Sequence, residues 1–168
     1  MTDPVPYQPS ENIPPVVLWR QVTPGMTPGP FNAVEVPPAQ SSITFTVPIR
    51  EYNLDDQIDC RVFIDVTSDD PGPDVECASL PPSGSRDREV TFTVSTTAGP
   101  IGREPTKCHK VMVVISDRGW RSFLDVPVDG DGRPVTAPAF VQWLVWVDDE
   151  AAERTAQIAN CAAVMFPE

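Results

Sequence analysis

The sequence is poor in the residues that most catalytic and nucleic-acid chemistry depends on. It holds one histidine, His109, and its only lysines are Lys107 and Lys110. Lys plus Arg total 12 against 24 Asp plus Glu, so the formal net charge is −12. Phosphate backbones are held by clustered cations, and the arginines here are scattered, which argues against a nucleic-acid partner. An anionic membrane surface is an equally poor electrostatic match. No apolar run approaches the ~20 residues of a transmembrane segment. The longest, Phe140 to Val147, is of strand length and contains Gln142. Cys-x-x-Cys and His-x-x-x-His are both missing, which makes a zinc site improbable. No Gly-x-Ser-x-Gly elbow and no strand-to-helix phosphate loop occur. There is no Asn-x-Ser/Thr acceptor and no internal repeat of useful strength. No signal-peptide pattern is visible either; a mature exported chain starts after its cleavage site, so this does not assign the cytoplasm.

Proline is abundant instead. The 168 residues include 21 prolines, well above the usual ~5%. Each one fixes φ and removes a backbone donor, so long helices are disfavoured over most of the chain. The length suits one buried core. Residues 1–15, with Pro4, Pro6, Pro9, Pro14 and Pro15, read as an extended lead-in, and 16–168 as a single domain.

Short strands separated by turns fill most of that domain, which indicates an all-β class. Val16 to Val22 is the first candidate, and Phe31 to Val36 a short edge strand. Ser42 to Ile49 alternates, with Ile43, Phe45, Val47 and Ile49 on one face. Gln57 to Val66 places Cys60, Val62, Ile64 and Val66 together, and Val75 to Leu80 is a short edge strand with Cys77. Glu89 to Thr96 alternates again, and Thr97 to Thr106 reads as a turn region. Cys108 to Ser116 is nearly continuous in apolar residues, as in a strand covered on both faces. A long connection, 117–139, precedes the last strand, Phe140 to Val147. Glu150 to Val164 lacks Pro and Gly and is alanine-rich, so a short C-terminal helix is expected there, with a tail stapled by Cys161 as the alternative.

About seven such strands suit an immunoglobulin/fibronectin III-like β-sandwich. Asp59 to Trp146 also resembles the ectodomains of poorly characterised bacterial surface lipoproteins. The resemblance rests on Arg61-Val62-Phe63-Ile64-Asp65, Arg88-Glu89-Val90-Thr91-Phe92-Thr93, Cys108-His109-Lys110-Val111 and Trp143-Leu144-Val145-Trp146. It implies export and lipid anchoring but no known activity. The lipid-bearing cysteine of such families has no counterpart near Met1.

The four cysteines are even in number and widely spaced, which suggests two disulfides and an oxidising compartment. Three pairings are open by sequence. In the sandwich that the strands suggest, Cys77–Cys108 and Cys60–Cys161 are the expected pairs, with Cys60–Cys108 as the rival.

His109 beside Cys108 suggests a dyad, but neighbours on a strand point to opposite faces, so no catalytic residue is assigned. The stronger feature is an acidic pole. Asn53, Asp55, Asp56 and Asp59 lie in one turn (B–C in immunoglobulin lettering), and Asp117, Asp129 and Asp131 in the long connection (F–G). Asp55, Asp56, Asp129 and Asp131 are the candidate calcium ligands; a solvated acidic loop is the alternative. No other cofactor is expected. Trp120 and Phe123 in the long connection are candidate partner-binding residues, while Trp19, Trp143 and Trp146 are expected on strands. The expected function is a non-enzymatic binding or scaffolding module, extracytoplasmic at a bacterial cell surface, in the periplasm or secreted, that meets a protein or glycan partner. The alternative is a small carboxylate-dependent hydrolase at the acidic pole; a cytosolic or virion β-domain would differ in redox state.

Overall fold

The computed structural model describes residues 13–25, 32–65, 75, 77–104, 108–117 and 139–147. They form an all-β structure of two sheets with one short helix. The strands are β1 (Val16–Val17), β2 (Asn32–Val36), β3 (Ser42–Arg50), β4 (Asp59–Ile64), β5 (Asp87–Ser95), β6 (His109–Ser116) and β7 (Ala139–Val147), and the helix is α1 (Gly99–Arg103). One sheet has the order β1-β3-β5 and the other β2-β7-β6-β4. All described ladders are antiparallel except β2 with β7, where Asn32 to Val36 run parallel to Trp143 to Val147.

The alternating sequences become alternating burial. Ile43, Phe45, Val47 and Ile49 of β3 face inward beside Val90, Phe92 and Val94 of β5. Thr44 and Thr93 pair on the solvent face through their hydroxyls at 3.2 Å. The opposing sheet supplies Val62, Val113 and Trp143 to the same core. The two layers meet where the Phe45 ring stacks on Phe92 with centroids 5.0 Å apart and lies 4.7 Å from the Trp143 ring. The four-stranded sheet also buries its other face, at Phe63, Val114 and Leu144. That accounts for the near-continuous apolar run in β6.

Several expectations are corrected. The first strand stops at Val17, and Trp19–Gln21 form a 3-10 turn that leaves Trp19 exposed rather than in the core. The region read as a turn contains α1. Its five residues begin at Gly99 (φ +67°), with Pro100 in the first turn, where a missing N–H costs nothing. Gly102 is required there, because a Cβ would stand 2.2 Å from the Thr97 carbonyl carbon. Trp143 is buried and Trp146 partly so, on opposite faces of β7. The proposed C-terminal helix lies outside the described residues.

The expected disulfide pairs are also corrected. Cys60 is bonded to Cys77, with Cα atoms 5.6 Å apart. After β4 the chain returns alongside it, bridging Val62 to Val75 and Ile58 to Leu80. This antiparallel return lays Cys77 next to Cys60 instead of carrying it to the far pole, so Cys77 is not available to Cys108. Cys108 is itself in a disulfide, and no described cysteine is free.

Two stability measurements follow. The 60–77 bridge spans 17 positions, and replacing both cysteines by serine should cost about 3 kcal/mol in urea unfolding. Phe45→Ala empties the contact between the sheets and should cost about 3–5 kcal/mol. A loss below about 1 kcal/mol in either variant would contradict the role given to it here.

Candidate functional site

The inward column of each sheet ends in an ionisable residue. In β3 the buried positions 43, 45, 47 and 49 are followed, one step on, by Glu51, which is wholly buried. In β6 the inward positions 111, 113 and 115 are followed by Asp117, which is also buried. The two strands finish at the same end of the core. The turn after β3 adds Asp56, and one carboxylate oxygen each of Glu51, Asp56 and Asp117 lie within 4.8 Å of one another.

The local backbone holds this arrangement in place. Asn53 N–H donates to Glu51 Oε1 at 2.7 Å, and Asp56 N–H closes the turn onto the Asn53 carbonyl at 3.0 Å. The guanidinium of Arg88, buried on β5, donates to the Asp56 carbonyl at 2.9 Å and to the carbonyls of Leu80 and Pro81. Arg88 therefore ties the acidic turn to the Cys77–Pro81 segment. Glu51 Oε2 is buried and has no hydrogen-bond partner among the described residues. Burial raises the pKa of Glu51, and the charges of Asp117 and Asp56 raise it further against the opposing backbone hydrogen bonds from Asn53 and Tyr52.

The expected acidic pole thus exists in part, with different members. Asp56 belongs to it, and Asp117, read from the long connection, joins it. Asp55 sits beside it but is exposed and outside the cluster. Asp59 is turned away, accepting from Gln57 Nε2 and Ser79 Oγ, each at 2.7 Å. Asp129, Asp131, Trp120 and Phe123 lie outside the described residues, as does Cys161. Glu51 was not expected. Its signal is parity: it continues the inward series of β3, where an acid needs a partner to be buried.

The single histidine marks the other end of the same β6 face. Eight strand steps separate His109 from Asp117, roughly 26 Å at the usual rise, so the two do not share one site. His109 is buried. Its Nδ1 lies 2.5 Å from Asp65 Oδ2 and its Nε2 2.9 Å from the Glu104 carbonyl. Both neighbours are acceptors, so the doubly protonated ring is the state that satisfies them. Asp65 is held for this by φ 53° and by accepting from Lys110 N–H at 2.7 Å. Cys108 precedes His109 on the opposite face and is disulfide-bonded, so the two form no dyad.

Burial by itself would lower the His109 pKa, but the hydrogen bonds to Asp65 and to the Glu104 carbonyl outweigh it, and the net direction is upward. A raised pKa in the folded state adds stability that is complete below the ordinary histidine value and is lost as pH rises through the folded value. The wild-type urea midpoint should therefore fall on going from about pH 6 to pH 9. His109→Gln should lack that fall, and Asp65→Asn should shrink it. A flat wild-type profile would disprove the charged pair. No protein-family model matches this chain, and no curated protein matches it.

Proposed function

We infer that the chain is a non-enzymatic module with an immunoglobulin-like sandwich, stapled by disulfides, that presents one loop pole to a protein or glycan partner in a bacterial cell envelope. The observation that carries this reading is the oxidised state of its cysteines. Cys60 is bonded to Cys77, and Cys108 is disulfide-bonded as well. Paired cysteines persist in exported proteins and are rare in a reducing cytosol. The sequence has one further cysteine, Cys161. No described helix is long and apolar enough to cross a membrane.

The strand order supports the immunoglobulin-like assignment. Pairing of β1 with β3, of β3 with β5, and of β7 with β6 and β6 with β4 follows the two-sheet pattern of that class. The parallel pairing of β2 with β7 brings a proline-bounded early segment onto the last strand. The presented pole is the end where β3 and β6 finish. Exposed Tyr52 and Asp55 sit there, with Arg86 6.0 Å from the centre of the Tyr52 ring. Rigid aromatics beside charges are effective interface anchors. The burial of Glu51 and Asp117 speaks against turnover by an acid pair at this pole, because a substrate bond must reach both groups.

Thiol trapping in the source cells, combined with fractionation, tests the compartment. The expected result is extracytoplasmic protein with no free thiols and with Cys60–Cys77 and Cys108–Cys161 peptides. Reduced cysteines in the cytosol would overturn it. Photo-crosslinking in the same cells tests the pole: a probe at Tyr52 or Asp55 should capture an envelope component that a probe at Thr91, on the solvent face of β5, does not. Equal capture from both places would reject the pole as the binding end.

A further inference from the structure

We propose that Glu51, Asp56 and Asp117 form a calcium site that closes the end of the core where β3 and β6 finish. Two independent observations support it. The first is convergence: three carboxylates from two sheets and a turn bring their oxygens within 4.8 Å of one another. The second is the orphaned oxygen. Glu51 is 0% exposed, and its Oε2 has no hydrogen-bond partner among the described residues. A buried carboxylate oxygen is costly unless something positive reaches it.

Among the described residues, no cation is seen to supply that positive partner. Arg88, the buried cation bonded to this turn, spends its guanidinium on the carbonyls of Asp56, Leu80 and Pro81. Among the described residues, the charged groups acting on Glu51 are Asp117 and Asp56, both acidic. A bound divalent ion would let all three carboxylates remain ionised, leaving a local charge of minus one.

The donor set selects the ion. Its ligands are oxygen only, with no histidine or cysteine, which suits a hard cation rather than zinc or copper. Calcium takes oxygens at about 2.3–2.6 Å, so two ligands across one ion stand up to about 5 Å apart. Oxygens within 4.8 Å of one another are compatible with that span. Calcium accepts an irregular set of protein oxygens, whereas magnesium demands near-ideal octahedral geometry and keeps several of its waters. Asp56 is half-buried and marks the side open to solvent, from which water completes the shell. Of the set expected from sequence the site retains Asp56; Asp55 lies outside it, and Asp129 and Asp131 are not among the described residues. It does not depend on the envelope reading, since it stands on the pole's own geometry.

The test is calorimetric titration of the full, disulfide-intact chain with calcium chloride, together with melting in EDTA and in millimolar calcium. One specific site should appear, with a saturable rise in Tm of roughly 4–8 °C. Glu51→Gln and Asp117→Asn should each weaken binding about tenfold or more. Asp55→Asn, at the exposed neighbouring acid, should bind as wild type does. Glu51→Gln should also melt in EDTA at or above the wild-type temperature, because the orphaned charge is gone, and this reports that the variant is folded. If either buried variant fails to fold, Asp56→Asn at the half-buried ligand carries the same expectation. Absence of heat and of any Tm change in calcium would overturn the site and leave a proton shared between the acids as the compensating charge. Undiminished binding by the folded variants would overturn it too, by placing the ion elsewhere on this acidic chain.

Discussion

The contact between Trp143 and the Phe45–Phe92 stack is the point from which the rest of the molecule takes its alignment. It joins the two sheets across the core, with centroids 4.7 Å apart between Phe45 and Trp143 and 6.1 Å between Phe92 and Trp143. Large rings at fixed separations set which residues face inward on β3, β5 and β7, and side chains in a strand alternate strictly. Once that register is set, every odd-numbered residue of β3 and β6 points to the core. The polar residues at the ends of these columns are then committed to burial, whatever their chemistry.

Each end of the core handles that commitment differently. At the start of β6, His109 meets the Asp65 carboxylate and a backbone carbonyl, so charge and hydrogen bonds are both balanced. At the other end Glu51 and Asp117 arrive from opposite sheets with like charge, joined by Asp56. The contrast is one of complement. An ion pair with its hydrogen bonds satisfied is a structural device; the clustered acids are the place of the proposed bound cation.

The acidic end is kept rigid by covalent and polar ties around it. The Cys60–Cys77 bridge pins the returning segment against β4. Arg88 then links that segment to the turn that carries Asp56. The staple is thus connected to the acids through one guanidinium, and a loop pole so anchored loses little entropy when it binds a ligand. That property is consistent with the presenting role proposed above.

Much of this was legible in the sequence. The alternation in Ser42 to Ile49 and in Glu89 to Thr96, and the dense apolar run from Val111 to Ile115, mark β3, β5 and β6 because period-two patterning is a local property of the chain. The proline count disfavoured long helices over most of the chain, and the turn acids pointed to one pole. Other features belong to no single segment. Cys60 meets Cys77 because the chain folds back along β4, which neither spacing nor composition encodes. The five residues of α1 are too few for periodicity to register. Glu51 enters the site, and His109 finds Asp65, through pairings between distant strands. The sequence determined which residues face inward along each strand, since that depends on neighbours in the chain. Tertiary structure alone decided which inward ends meet, because that depends on how two sheets register across a shared core.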